Sequence, residues 1–367
     1  MPFFRYEGQR IHYTEFASET ELGSARRGRA GTASAGTRNG SLDAAQGRPL
    51  ILLHGLLLSQ EMHRPLAEAL ATRGNRVITV DLLGHGRSDR PRDMWRYSMA
   101  TFGEQVIALM DHLGIEQAAV MGTSLGANAA LEVASKRPER LRGMVIEMPV
   151  LDNGLLVSAL TFTPLLVALT FGEPIMKGLA RVARAIPRGL LPHYGNVMLD
   201  LIRQEPGPGG AVLQGLFFGR VAPPRSERRT FEVPTLVLGH PRDPVHPFSD
   251  AGELASEMPN ARLVEANSLV ELRLQPDRLT DQIADFLHEL WVPGRRRRAG
   301  ATSKAGSKAG SKASSKAQRG GRSAKARPSP PIADKRASGT RAKAASRSTT
   351  RSAGASAKRR GAHPPGD

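Results

Sequence analysis

The chain has 367 residues, 40% of them apolar, enough for one sizeable core of the kind that single α/β domains build up to about 250–300 residues, with appendages left over. Its formal net charge of +18 is confined by position: residues 294–367 hold 21 of the 52 Lys and Arg against only Asp334 and Asp367, leaving 31 basic and 32 acidic residues in the body, so charge gives no ground for assigning a polyanion to the folded part. With no cysteine, a disulfide framework, a thiolate metal site and a cysteine nucleophile are all excluded.

The opening MPFFRYEGQRIHYTEF carries charges and turn formers where an export signal needs an apolar run of about 7–15 residues, so a cytoplasmic location is expected. Its two alternating runs, joined around Gly8 and Gln9, predict a hairpin at a sheet edge. Residues 17–47 change to Gly, Ala, Ser, Thr and Arg, the composition of a flexible insertion. Order resumes at PLILLHG, a continuous apolar run of the buried parallel-strand type. The same kind of run recurs at RVITVDL, QAAVMG, LRGMVIEM and TLVLG, and ARLVEA is the last sheet run. Between these runs MHRPLAEALATRG, TFGEQVIALMDHLG and LGANAALEVASKR have helical length and pattern. The alternation predicts an α/β fold with a doubly wound, mostly parallel sheet covered by helices on both faces.

The rhythm breaks over residues 151–229, which read as a helical cap. Its first part, LLVSALTFTPLLVALTF, is uncharged and apolar nearly all round, and is expected to be a lipophilic cap packed over the sheet. Pro164 and the scattered Ser and Thr argue against a membrane-spanning helix and leave membrane contact the lesser expectation. LTDQIADFLHELW is an amphipathic helix that closes the domain, whose expected extent is residues 1–293. Residues 294–367 have Ile332 as their only large apolar residue and are expected to stay disordered, because they cannot bury enough surface to offset ordering entropy.

The chemistry is carried first by VMGTSLGA, which sets Gly122, Ser124 and Gly126 in a G-x-S-x-G frame between a predicted strand and a predicted helix. A serine on that turn is held in a strained backbone with its hydroxyl above the sheet, and the helix behind it aims unpaired N–H groups at the site. With this motif, LLHGLLLS at 52–59 and DLLGHGRSDRP at 81–91, the chain resembles the α/β-hydrolase family over residues 48–291, in its serine-nucleophile esterase and lipase-like branch. The resemblance implies Ser124 as nucleophile and the backbone N–H groups of Leu56 and Leu125 as the oxyanion hole. His54 and His85 belong to the framing motifs and are read as turn-shaping. Haloalkane dehalogenases and epoxide hydrolases of this fold attack with an aspartate, which would stand at position 124, so those activities are not expected.

The acid implied by the resemblance is Asp243 in LVLGHPRDPVHP, with Glu147 and Asp152 as fallback positions. The base departs from the family pattern. Its usual place after the last strand reads LVEANSLVELRLQPD, where counting back from Pro276 gives Leu269 or Ser268, and no histidine lies between Phe248 and Phe286. The candidates that remain are His246 and His240, beside Asp243. Because Asp243 lies only three residues from His246, a different carboxylate, Glu147 or Asp152, is expected to orient that imidazole.

The resulting expectation is a serine hydrolase that acts on a lipophilic carboxylic ester or thioester through an acyl-enzyme on Ser124, with no metal and no cofactor. A cofactor-free C–C hydrolase or perhydrolase using the same serine is one alternative. A non-catalytic hydrolase-fold scaffold is the other. The tail's lysine every four residues, at Lys304, Lys308, Lys312 and Lys316, resembles the arms of bacterial histone-like proteins. With no aromatic residue interleaved, it predicts sequence-blind contact with nucleic acid or another polyanion.

Overall fold

The strands are β1 (Phe3–Tyr6), β2 (Gln9–Phe16), β3 (Arg48–Leu53), β4 (Asn75–Val80), β5 (Ala118–Thr123), β6 (Leu141–Glu147), β7 (Thr235–Gly239) and β8 (Ala261–Glu265). The helices are α1 (Arg64–Ala71), α2 (Met99–His112), α3 (Leu125–Lys136), α4 (Gly154–Phe171), α5 (Glu173–Ala185), α6 (His193–Arg203), α7 (Pro206–Phe218), α8 (Arg225–Arg228), α9 (Phe248–Glu257), α10 (Glu271–Leu274) and α11 (Asp277–Trp291). These come from a computed structural model that describes residues 2–16 and 47–292, all within one compact unit. The expected insertion at 17–47, apart from Gly47, and the expected tail at 294–367 lie outside the described residues.

One eight-stranded sheet runs in the order β1-β2-β4-β3-β5-β6-β7-β8. Only β1 with β2 and β2 with β4 pair antiparallel, and every other pair is parallel. The hairpin turns at Glu7 and Gly8, both with positive φ, so the tight turn sits one residue earlier than the sequence pattern indicates.

The continuous apolar runs have a direct physical reason. Along β3, Ile51 and Leu53 enter a core shared with Phe102, Val106 and Leu131 of α2 and α3. Leu50 and Leu52 enter a second core with Leu66 and Leu70 of α1 and Ile283 and Leu287 of α11. Helices cover both faces, so neither set of alternating side chains meets water. Strand β8 closes one edge of the sheet, and its side chains are half-buried or exposed.

Between β6 and β7 the helices α4 to α8 interrupt the sheet. Two buried polar side chains fasten this insertion to the body. Asn128 of α3 donates to the carbonyls of Val150 and Val221 and accepts from Val150 N, joining the entry and exit of the insertion. Asp250 of α9 is fully buried and accepts from Leu151 N, Asn153 N and Gly154 N at 2.7, 3.1 and 2.9 Å. A carboxylate against the first turn of α4 satisfies donors that the helix leaves open and meets the positive end of its dipole.

Candidate active site

Ser124 sits between β5 and α3 with φ 54° and ψ −111°, a conformation that costs a non-glycine residue about 1–3 kcal/mol. The turn exists because its neighbours are small. A Cβ on Gly122 would lie 2.1 Å from the Gly126 backbone, and one on Gly126 would lie 2.3 Å from the Leu53 carbonyl oxygen. Ser124 N donates to the Glu147 carbonyl at 2.9 Å, which ties the turn to the end of β6.

Three expected residues come together. Ser124 Oγ lies 2.9 Å from His246 Nε2, and His246 Nδ1 lies 2.8 Å from Asp243 Oδ2. The network sets the tautomer: Nδ1–H donates to the carboxylate, so Nε2 accepts the serine hydroxyl proton. The other Asp243 oxygen accepts from Val245 N at 2.8 Å and His246 N at 3.0 Å. Burial pushes the Asp243 carboxyl up, but the imidazole and the two backbone donors outweigh it and hold the group below its ordinary value.

The expectation that another carboxylate would orient His246 is incorrect. Three residues are enough, because Asp243 uses one oxygen to wrap the loop back on itself and the other to meet the imidazole of the same turn. Pro244 and Pro247 fix two backbone angles of that loop. The fallback acids are engaged elsewhere. Asp152 pairs at 3.0 Å with Arg228, whose guanidinium also meets Glu257. Glu147 is buried with Arg273 Nη2 at 2.8 Å, and it accepts the Thr123 hydroxyl. His240 does not reach the serine: its Nδ1 donates to the Ser268 carbonyl at 3.0 Å, and its Nε2 stands 3.2 Å from Glu147 Oε1, off the line of a good hydrogen bond. Burial pushes Glu147 up, but the Arg273 charge and the His240 contact prevail and hold it well below the carboxylate range. Burial pushes His240 down, and the Glu147 carboxylate more than reverses that.

The segment after β8 therefore supplies an arginine, not an imidazole, to the back of the serine turn. Sequence reading missed Arg273 because nothing in LVELRLQPD marks which side chain of a four-residue helix turns inward. The two framing histidines are buried and neutral. His54 Nε2 accepts from Leu82 N at 3.1 Å, so its Nδ1 donates to the Gly55 carbonyl, and His85 Nδ1 meets the Leu83 carbonyl. Burial lowers both imidazoles, as befits groups that hold turns.

A cavity of about 350 Å³ opens over Ser124. Leu56 and Leu125 flank the serine; Leu155, Ala159 and Phe162 of α4 and Leu213 of α7 form the roof. Leu125 is the first residue of α3, where a backbone N–H has no partner within the helix.

The family model for the alpha/beta hydrolase fold matches residues 48–173. The chain has the α/β-hydrolase fold. Among curated relatives, this hydrolase is similar to a 2-hydroxymuconate semialdehyde hydrolase of Pseudomonas putida, 29% identical over 62% of this chain and 82% of that one. A haloalkane dehalogenase of Mycolicibacterium paratuberculosis is 31% identical, over 32% of this chain and 38% of the relative. Among solved structures, the enol-lactonase of Burkholderia xenovorans superposes with a TM-score of 0.58 at 22% identity, over 78% of this chain and all of that one. An esterase of a Rhodococcus species does so with a TM-score of 0.58 at 19% identity, over 78% and 98%. At such identities the two structures show the fold alone.

Proposed function

We propose that this α/β hydrolase cleaves a lipophilic carboxylic ester or thioester through an acyl-enzyme on Ser124. The observation that carries the reading is the 2.9 Å contact between Ser124 Oγ and His246 Nε2, backed by Asp243 and facing an apolar cavity. In this scheme the hydroxyl attacks the substrate carbonyl while His246 takes its proton, and Asp243 stabilises the imidazolium that forms. The N–H groups of Leu56 and Leu125 receive the oxyanion, and one such donor is typically worth about 3–4 kcal/mol of transition-state stabilisation. His246 then returns the proton to the leaving alcohol or thiol. Water, activated by the same imidazole, releases the acid.

A second reading, a C–C hydrolase, has one observation in its favour, the likeness to the 2-hydroxymuconate semialdehyde hydrolase. Cavity chemistry weighs against it. A muconate carries carboxylate, and no Arg or Lys lines the cavity among the described residues. A buried anion without a partner is costly, so a neutral acyl chain suits this wall better. Position 124 is serine, which does not fit the aspartate attack of a dehalogenase.

Fluorophosphonate labelling of the wild type and of Ser124→Ala, followed by hydrolysis of nitrophenyl esters of rising chain length, tests the reading. Labelling confined to Ser124 and kcat/KM rising beyond acetate are expected. An unlabelled wild type would remove the proposal, and a series flat beyond acetate would remove its lipophilic part.

A further inference from the structure

Helix α4 was expected to be a lipophilic cap packed over the sheet, and it leaves its outer side bare. It is uncharged over all 18 residues, with mean hydropathy 2.0, yet only 11% of it is buried. A core helix would be mostly buried, and a signal sequence would lie near residue 1, so neither accounts for it. Its exposed residues fall in register. Leu156, Leu160, Val167 and Phe171 follow one another at helical spacing on one stripe, opposite the stripe that carries Phe162 and Leu169 inward. Leu156 is 69% exposed, Leu160 67% and Phe171 82%.

The neighbours extend this surface. Helices α5 and α7 pack against α4, and they expose Ile175, Val182 and Phe218. Basic side chains of α5 stand on its other side: residues 173–203 hold five Lys and Arg against two carboxylates, and exposed Lys177, Arg181 and Arg184 follow one another on the stripe opposite Ile175 and Val182. No segment outside the described residues has the composition to cover the face. Residues 294–367 offer Ile332 as their one large apolar side chain, and residues 17–46 offer only Leu22 and Leu42.

We infer that this face of the helical insertion, the α4 stripe with its α5 and α7 neighbours, docks on a lipid bilayer surface through its apolar side chains. A helix apolar on every side has no polar stripe to set against a protein partner's rim, whereas acyl chains make no such demand. The helix is about 27 Å long by its rise per residue, close to the thickness of a hydrocarbon core, but it does not span. Asp250 pins its first turn to the body, and its inner stripe roofs the cavity. It therefore lies in the interfacial layer. Leu155 and Phe217 belong to the cavity wall and are also 50% and 41% exposed, so apolar side chains at the surface also line the way to Ser124. That route for a lipid-dissolved substrate rests on the hydrolase reading; the docking does not.

The test is flotation of the full chain with phosphatidylcholine vesicles, with and without phosphatidylserine, for the wild type and for Leu156→Gln/Leu160→Gln/Phe171→Gln. None of the three residues lines the cavity, so far-ultraviolet circular dichroism melts and turnover of a short soluble ester should match wild type. Wild-type binding to both kinds of vesicle that persists at high salt, weakened about 10-fold or more in the triple variant, is expected. Absence of wild-type binding to either vesicle overturns the inference. Equal binding by both proteins, lost at high salt, assigns the contact to basic residues alone and also overturns it. A dimer in light scattering that the variant abolishes, without vesicle binding, makes the face a self-association surface and overturns it as well.

Discussion

Replacing Asp243 by Asn isolates the role of one oxygen. Asp243 Oδ1 wraps the loop through Val245 N and His246 N, while Oδ2 alone faces His246 Nδ1. An asparagine keeps its carbonyl oxygen for the two backbone donors, so the loop stays in place. Its NH2 group then meets Nδ1 and turns that nitrogen into an acceptor. The ring proton moves to Nε2, which points at Ser124 Oγ across 2.9 Å, and the base becomes a second donor. The expected loss in kcat is about 10⁴-fold, or about 5 kcal/mol at 1.36 kcal/mol per decade. His246→Ala removes the imidazole and should cost on the order of 10⁶. The assay is the pre-steady-state burst of nitrophenolate from a butyrate ester, which reads acylation apart from product release, beside a thermal melt that confirms the fold. An Asn variant within about 10-fold of wild type, with its fold intact, would refute the assignment of Asp243 as the group that sets the tautomer.

The buried Glu147 and His240 predict opposite limbs of stability against pH. His240 is raised above its ordinary 6.5, so the stability it contributes is full below 6.5 and fades as pH climbs through the raised value. Glu147 is depressed from 4.5, so its share is full above 4.5 and fades in acid. Calorimetric melts of His240→Gln should lose the alkaline limb alone while acylation changes by less than about 10-fold, and melting curves parallel to wild type above pH 6.5 would contradict this. Ser124→Gly should abolish turnover yet raise stability by about 1 kcal/mol or more, because glycine relieves the positive φ; an unchanged or lower melting temperature counts against stored strain. Truncating residues 294–367 should abolish retention on DNA and leave ester turnover intact, with wild-type affinity falling steeply as salt rises. Undiminished DNA binding by the truncated chain would place the contact on the near-neutral body.

Much of this was legible in the residues. The interior parallel strands announced themselves because both of their faces are buried, and the Gly122–Ser124–Gly126 frame is dictated by close approaches that only glycine permits. The hydroxyl and the acid could be named from their motifs, and the migrated imidazole only as one of two candidates, His246 and His240. Their mutual geometry could not, because whether a carboxylate three residues away can meet its neighbour depends on loop dihedrals. The Glu147, Arg273 and His240 cluster was illegible for a different reason. It joins the ends of β6 and β7 to a turn after β8, and such long-range register leaves no local pattern. Composition showed α4 to be greasy but could not tell a roof buried on every side from one with a bare outer stripe.

Asp243, His246 and Asp250 occupy eight consecutive residues, and between them they hold the proton relay and the first turn of the roof over the cavity. In a chain so arranged, heredity acts on the relay as a single cassette: one short stretch of gene carries acid, base and roof anchor together. The segment following β8, relieved of any reacting group, is free to change length and sequence, provided that an arginine still reaches Glu147. Relatives that share the serine turn but differ after β8 are therefore natural recipients for a graft of residues 243–250, and such a chimera would show whether a relay can be moved between scaffolds as one piece.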